Sequence, residues 1–418
     1  MSIKVRLIIM NFFQFFVWGA WLITVANFWF GTKGWDGAQF GAIFSTMGIA
    51  SIFMPTLCGI IADRWINAEK MYGMLHILGG LTLIAVPMVD NPVSFFWVIL
   101  VAMIFYMPTI ALSNSVAYNA LKKNGLDVVK DFPPIRVWGT IGFIAAMWIT
   151  NLSGNKASEN QFYIAAVAAI LLGIYSFTLP KCEPQQETSD NKSYIELLGL
   201  SSFKLLTNYK LALFFIFSMF LGAALQLTNA YGDVFLDDFK LNPLYADSFV
   251  VKYSTIIMSI SQVSETVFIL AIPFFLKHFG IKKVILISMI AWVLRFGLFA
   301  YGNPGDGLWM IILSCIVYGM AFDFFNISGS LFIETSTDSK IRSSAQGLFM
   351  MMTNGFGAIF GSVASGYLID RFFTTEAGKD WHGIWLTFAL YALVITIAFA
   401  ILFKHKHNPE EIKAKIAH

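Results

Sequence analysis

Residues 314–332, SCIVYGMAFDFFNISGSLF, form an apolar run that suits a membrane-spanning helix, yet the run carries a carboxylate, Asp323, at its middle. A charge near the bilayer centre costs at least about 2.5–3.5 kcal/mol, so such a group usually faces a cavity or a partner. At about 100° per residue, six residues of this helix, most of them polar or aromatic, fall within an arc of roughly 140°. They are Tyr318, Gly319, Phe322, Asp323, Asn326 and Ser330. The pattern predicts a helix with one face turned toward a water-filled, ligand-sized space.

The composition is that of an integral membrane protein. Of the 418 residues, 57% are hydrophobic and 13% are charged, whereas soluble domains have about 25% charged residues. Apolar runs of roughly 18 or more residues recur, and each suffices to cross a hydrocarbon core about 30 Å thick. The N-terminal run follows Lys4 and Arg6, as in a signal peptide, but continues to Phe30 without a small-residue cleavage pattern. We therefore expect it to be retained as the first span.

The sequence predicts an all-α integral membrane fold with twelve transmembrane helices. The spans are predicted at residues 7–30, 40–61, 71–89, 94–117, 135–152, 161–180, 211–232, 253–275, 284–301, 308–332, 343–369 and 383–403. An even number of spans leaves both termini on one side of the membrane. Most of the 28 Lys and Arg residues lie in connections on that side, so the positive-inside rule predicts cytoplasmic termini.

The spans are expected to form two six-helix halves. The predicted parts are an N-terminal six-helix bundle at 1–180, a cytoplasmic linker at 181–210, a C-terminal six-helix bundle at 211–404 and a cytoplasmic tail at 405–418. The linker opens with the polar run KCEPQQETSDNKS and continues as the amphipathic stretch YIELLGLSSFKLL. Its position near mid-chain is the one expected of a tether between two parallel halves.

Three further spans carry charged or polar side chains at membrane depth. The residues that share a helix face are Arg136, Thr140 and Phe143 in the fifth span, Gln226 and Asn229 in the seventh, and Gln262 and Glu265 in the eighth. Amides both donate and accept hydrogen bonds, and aromatic rings offer faces for stacking. Together with the tenth-span face, this set predicts a binding pocket for a neutral, polar, flat ligand.

Several ionisable residues have alternative interpretations. A carboxylate whose surroundings change as a pocket opens to one side and then the other is a candidate proton carrier, and Asp323 and Glu265 fit that description. Arg136 either binds ligand or pairs with an acid to fix helix packing. Arg295, in the ninth span without an evident polar face, is predicted to be structural or to snorkel toward the interface. His76 is predicted to be a packed, hydrogen-bonded histidine.

No enzyme chemistry is predicted. The sequence has no Gly-rich phosphate loop and no nucleotide-hydrolysing domain, so the energy for transport is expected to come from gradients. Cys58, Cys182 and Cys315 are too scattered for a disulfide framework or a metal site and are predicted to be inert packing residues. We expect no cofactor, metal, nucleic acid or obligatory protein partner. Glycines between positions 347 and 366 predict close helix contact in the eleventh span and permit it to bend.

Longer strings resemble a known family. The turn GIIADR at 59–64 resembles the loop signature of the major facilitator superfamily. It contains an acid and a base, which can pair with a neighbouring helix end and act as a latch. The strings DFPPIRVWGTIGF at 131–143, SISQVSETVFIL at 259–270 and FDFFNISGS at 322–330 resemble the nucleoside:proton symporter family of that superfamily, the bacterial nucleoside permeases. The resemblance runs from the first span to the twelfth and implies the major facilitator fold.

The resemblance implies uptake of purine and pyrimidine nucleosides, such as uridine and adenosine, with protons by a multi-pass protein of the bacterial inner membrane, embedded in the lipid bilayer. The substrate-binding positions that it implies are Arg136, Thr140, Phe143, Gln226, Asn229, Gln262, Glu265, Tyr318, Phe322 and Asp323, with proton coupling at Asp323 and Glu265. The family often has an acid two positions before the seventh-span glutamine, whereas this chain has Ala224. The alternatives are a proton-coupled sugar or oligosaccharide symporter of the same superfamily and a membrane sensor that does not transport.

Overall fold

The computed structural model describes residues 1–184, 200–337, 342–376 and 378–405, without the side chains at positions 63, 129, 200–202 and 342–344. Within these ranges the chain is helical apart from turns and one two-stranded hairpin, which confirms the predicted all-α class. The chain divides into two compact units, Met1–Leu198 and Gly199–His418. Most of the predicted linker and tail, and the Asp63 side chain of the predicted latch, lie outside the described residues.

The first unit is built from long helices joined by short connections. They are α1 (Ile3–Gly19), α2 (Gly37–Arg64), α3 (Ala68–Ala85), α4 (Pro92–Lys123), α5 (Val128–Leu152) and α6 (Asn160–Ser176). A π-helical turn at Asn27–Thr32 follows α1, and a 3-10 turn at Val86–Met88 follows α3.

The second unit begins with a 3-10 turn at Leu200–Thr207. Its helices are α7 (Tyr209–Asp238), α8 (Phe249–Lys252), α9 (Ser254–Tyr301), α10 (Leu308–Ser336), α11 (Arg342–Met350), α12 (Ala358–Phe372) and α13 (Trp381–Leu402). A second 3-10 turn, Phe239–Leu241, follows α7. A π-helical segment, Met351–Gly357, joins α11 to α12, and an antiparallel hairpin of β1 (Thr374–Thr375) and β2 (Gly378–Lys379) precedes α13.

Within the described residues, nine helices are long and apolar enough to cross a membrane, judged by length and composition. α9 is one of the nine and contains two predicted spans, which lie on either side of a kink at Gly280 (φ 76°, ψ 168°). α1 and α6 have 17 residues each and are shorter than the helices counted. Helical residues thus occupy every predicted span, whereas twelve crossings and cytoplasmic termini remain predictions.

The first span differs from the single helix predicted at 7–30. α1 ends at Gly19, turns follow, and the π-helical turn begins only at Asn27. The N–H groups of Trp21, Thr24 and Asn27 donate to carbonyls three residues back (3.4, 3.2 and 3.0 Å) instead of four, so regular α-helical hydrogen bonding is interrupted there. The eleventh span is also interrupted in its middle by a π-helical segment. Hydropathy predicts that such segments are apolar and long, but it does not report their backbone register.

Two pairs of helices pack backbone against backbone. A Cβ added at Gly142 of α5 would lie 2.1 Å from the Phe12 carbonyl oxygen of α1, and one added at Gly222 of α7 would lie 2.1 Å from that of Thr353. At this distance no side chain fits, so glycine is required at both positions.

The predicted close contacts of the eleventh-span glycines are confirmed at Gly357 and Gly361. A Cβ at these positions would lie 2.5 Å from the Met219 carbonyl oxygen and 2.6 Å from the Ala223 Cα, respectively. The prediction is wrong for Gly347, which is exposed and has open space where a Cβ would stand.

The start of the predicted linker is anchored within the first unit. The Cys182 N–H donates to Oε2 of buried Glu69 at 2.7 Å, and the Ala68 N–H donates to the Cys182 carbonyl at 3.1 Å. Burial raises the pKa of the Cys182 thiol to about 12, with a smaller contribution from the Glu69 charge. The three cysteines are free and buried, which confirms their predicted packing role.

Candidate functional site

Arg136 lies on α5 and packs on an aromatic ring of α1. Its guanidinium carbon is 4.0 Å from the centre of the Phe15 ring, a cation–π geometry. Gly139 makes this contact possible, because a Cβ there would lie 2.7 Å from the Phe15 ring and 2.6 Å from Nη1 of Arg136. Thr140, one turn after Arg136, is partly exposed. Arg136, the predicted ligand-binding base of the first unit, is therefore held against the flat apolar face of the Phe15 ring.

Phe143 has an aromatic neighbour that sequence reasoning missed. Its ring, 9% exposed, meets Trp18 edge to face with centroids 6.5 Å apart. Trp18 in turn lies 5.6 Å from the Tyr106 ring. Because Trp18 stands in an uninterrupted apolar run, no polar residue beside it in the sequence marks it as a neighbour of the predicted site.

A buried polar network supports these aromatic residues. The Gln14 Nε2 group donates to Thr109 Oγ1 at 2.9 Å, and its Oε1 accepts the Tyr72 hydroxyl at 2.7 Å and contacts His76 Nε2 at 2.9 Å. The Tyr106 hydroxyl donates to the Gln14 carbonyl at 2.7 Å. The predicted packed, hydrogen-bonded state of His76 is therefore confirmed. Such a satisfied network of neutral groups rigidifies the surrounding helices.

In the second unit, the two predicted proton carriers lie close together. Asp323 of α10 is 4% exposed, and its Oδ2 accepts no hydrogen bond from the described residues. Glu265 of α9 is near enough for its charge to act on Asp323. The two helices touch at Gly319, where a Cβ would lie 2.6 Å from the Ser264 carbonyl. Ser264 also donates to the Ile316 carbonyl, so this contact fixes Glu265 beside the Asp323 turn.

Tyr318 and Phe322 form an aromatic stack, with ring centroids 5.9 Å apart and planes inclined by 8°. Behind it, the Arg295 guanidinium carbon lies 4.6 Å from the Tyr318 ring centre. Arg295 is 0% exposed and donates to Thr228 Oγ1 (3.1 Å) and to the Ser314 carbonyl (2.7 Å). Of the two roles predicted for Arg295, the structural one is confirmed and snorkelling is wrong, because acceptors on α7 and α10 hold it in the interior. The sequence signal for this interior position was the presence of a charged residue at membrane depth.

The predicted amides retain unused hydrogen-bonding capacity. Gln226 of α7 is 7% exposed, and its Oε1 has no hydrogen-bond partner among the described residues. Asn229 lies one turn further along α7, and Gln262 lies on α9 one turn before Glu265; both are partly exposed. A buried amide oxygen without a partner is costly, so water or a ligand is the expected partner of Gln226.

The sequence and the fold were compared with known proteins. A family model described as Nucleoside H+ symporter matches residues 1–408. The chain is 50% identical over 408 residues to Nucleoside permease NupG of Escherichia coli (strain K12), covering 97% of each protein. It is 52% identical over 414 residues to Xanthosine permease of the same organism, covering 99% of each. The crystal structure of nucleoside transporter NupG matches with a TM-score of 0.91 and 50% identity, covering 97% of this chain and 100% of that one.

Proposed function

Because the chain belongs to the Nucleoside H+ symporter family, we propose that it takes up purine and pyrimidine nucleosides with protons by alternating access. The 50% identity to a nucleoside permease over almost the whole chain supports this assignment. The observation that carries the mechanism is the position of Asp323, a buried carboxylate with an unpartnered oxygen among the described residues, beside Glu265 and one residue after the aromatic stack. The protein is a transporter and not an enzyme.

We propose that the nucleoside base stacks on aromatic rings, with Phe322 as the main platform. Phe322 is partly exposed, and Tyr318 behind it is held by Arg295, so the platform is preorganised before ligand arrives. Phe143 of the first unit supplies a further aromatic surface. Stacking on a rigid ring costs little side-chain ordering, which favours binding.

Hydrogen bonds to the ribose and to the base edges are assigned to the remaining predicted positions. The amides of Gln226, Asn229 and Gln262 both donate and accept, which suits ribose hydroxyls, and Thr140 offers a hydroxyl. Arg136 supplies a charged donor, whose hydrogen bonds are stronger than neutral ones.

Proton coupling is assigned to Asp323 and Glu265. Two neighbouring carboxylates repel when both are charged, so binding of a proton between them is favoured over full ionisation. Each transport step that changes their surroundings changes the free energy of that proton, which links proton movement to the swing of the transporter.

The proposed topology is twelve transmembrane helices in a major facilitator fold. Both termini are placed in the cytoplasm, and the protein is placed in the bacterial inner membrane. The distribution of Lys and Arg supports this orientation, and the whole-chain match to a solved nucleoside transporter supports the fold.

The test is uptake of radiolabelled uridine and adenosine into membrane vesicles, with and without an imposed pH gradient. We expect accumulation only when the outside is acidic, with strong competition by other nucleosides and much weaker competition by sugars and free nucleobases. Competition by sugars in place of nucleosides would identify a sugar symporter. Binding without counterflow in proteoliposomes would identify a sensor, and either result would overturn the proposal.

A further inference from the structure

A recess in the second unit adjoins the aromatic stack. It is lined from α7, α9, α10 and the π-helical segment, and it measures about 260 Å³ including the open space at its mouth. Phe322 and Trp292 form part of its wall, and the side chains of Asn326 and Asn354 supply two amides. We call this space the amide recess. None of the roles assigned above uses either asparagine.

Both asparagines have unmet hydrogen-bonding capacity. The side chain of Asn326 makes no hydrogen bond with the described part of the chain. For Asn354, the polar contact within those residues is from its Nδ2 to the Met350 sulfur at 3.9 Å, and a thioether is a weak acceptor. Amides at membrane depth are costly unless they are paired or face a water-filled cavity. Two such amides around one recess therefore indicate that the recess receives a polar group.

The backbone holds Asn354 in a fixed position. It stands in the π-helical segment Met351–Gly357, and the Thr353 carbonyl next to it packs directly on Gly222 of α7. π-helical segments inside α-helices are often found at functional sites. The π-helical interruption of the eleventh span thus places the Asn354 amide at the recess. At this point the backbone packs directly against α7.

We propose that Asn326 and Asn354 recognise the hydrogen-bonding edge of the nucleoside base and set the selectivity among nucleosides. This inference rests on the proposed transport of nucleosides. Phe322 both lines the recess and belongs to the aromatic stack, so a base lying on Phe322 has its edge beside the recess. Each asparagine offers one acceptor and two donor hydrogens, and bases differ in the arrangement of these groups along their edges.

The experiment compares two nucleosides that share a ribose and differ at the base edge. Uptake of radiolabelled uridine is competed by unlabelled uridine and by cytidine in vesicles carrying Asn326→Ala, Asn354→Ala or the wild-type protein. Loss of one neutral hydrogen bond is expected to change the ratio of the two half-inhibitory concentrations by about 2- to 12-fold. The ratio does not depend on the amount of folded protein, so reduced expression of a variant does not obscure it.

Asn160→Ala is the matched control, because it removes an exposed amide at the start of α6 in the first unit, and its ratio should equal that of the wild type. Wild-type ratios in both recess variants would overturn the inference while leaving nucleoside transport intact. An equal loss of affinity for uridine, cytidine and free ribose would also overturn it, because it would indicate a structural role. Absence of nucleoside uptake by the wild-type protein would instead overturn the proposed function.

Discussion

The two units use the same packing device but distribute charge differently. In each, a glycine allows two helix backbones to touch, at Gly142 in the first unit and at Gly222 in the second. The first unit surrounds its interior glutamine, Gln14, with neutral partners. The second unit encloses a fully buried guanidinium, Arg295, and a nearly buried carboxylate, Asp323.

This difference indicates that the two units have different roles, structural support in the first and ionisable groups in the second. The hydroxyl, amide and imidazole groups around Gln14 satisfy one another's hydrogen bonds, so the network serves as a rigid wall. Buried ionisable groups respond strongly to changes in solvation. We therefore expect proton coupling to reside in the second unit and the first unit to contribute mainly ligand contacts through Arg136 and its neighbours.

The largest expected effect follows from Asp323→Asn. The amide keeps the shape of the side chain but binds no proton at accessible pH, so acid-driven accumulation of nucleosides should be abolished. Uptake should rise no further than the external concentration, while counterflow exchange persists. The measurement is radiolabelled uridine uptake into vesicles under an imposed pH gradient.

Asp306→Asn is the matched control for this substitution, because it removes an exposed carboxylate in the loop before α10 and should leave accumulation unchanged. Unchanged concentrative uptake by the Asp323→Asn protein would remove the proton role from Asp323. Coupling would then be sought at Glu265, which the equivalent Glu265→Gln variant tests.

The shared packing device predicts similar damage from Gly142→Val in the first unit and Gly222→Val in the second. Each new side chain would collide with a neighbouring backbone rather than with a flexible side chain, so the cost should reach or exceed the about 1–3 kcal/mol typical of overpacking. Thermal unfolding in detergent measures it. The matched control is Gly297→Ala in α9, where a Cβ meets open space. A tolerated Gly142→Val protein would mean that only the second unit depends on this contact.

The sequence allowed the helical class and the positions of the spans to be predicted because apolar length is a property of composition. It also singled out Tyr318, Phe322 and Asp323, because helical spacing places them on one face of α10, and Glu265, because it shares a face of α9 with Gln262. Their roles stay predictions. That Glu265 adjoins Asp323 was not predictable, because it depends on the contact of Gly319 with another helix.

Other features escaped prediction because they depend on backbone register or on partners distant in sequence. The interruption after Gly19 leaves no mark in hydropathy, since the residues on both sides are apolar. For Arg295 the sequence left a structural role and snorkelling both open, because no polar residue shares its own helix face. Its acceptors, Thr228 and Ser314, belong to other helices and become visible only in the fold.

Arg295 should contribute mainly to the stability of the fold, and Arg136 mainly to transport. Arg295→Lys loses the planar contact with Tyr318 and leaves a buried acceptor unsatisfied, so a loss of about 1–3 kcal/mol of folding free energy is expected. Arg136→Lys replaces the planar guanidinium on the Phe15 ring with a point charge at a partly exposed site. It should therefore cost less than the about 0.5–1 kcal/mol of such a contact, but should slow uptake per folded molecule. Thermal unfolding and initial uptake rates, each normalised to protein amount, separate the two. A reversed order of stabilities would contradict the division between scaffold and ligand contact.

The smallest expected effect distinguishes the aromatic surfaces of the two units. Phe322→Ala removes a partly exposed ring from the stack and should weaken nucleoside competition by about 2- to 12-fold, since an aromatic pair contributes about 0.5–1.5 kcal/mol beyond burial. Phe143 is nearly buried against Trp18, so Phe143→Ala should affect stability more than nucleoside selectivity. Competition by free ribose is the internal reference, because ribose has no base to stack. Equal losses for ribose and uridine in the Phe322→Ala protein would show that this ring shapes the pocket without stacking on the base.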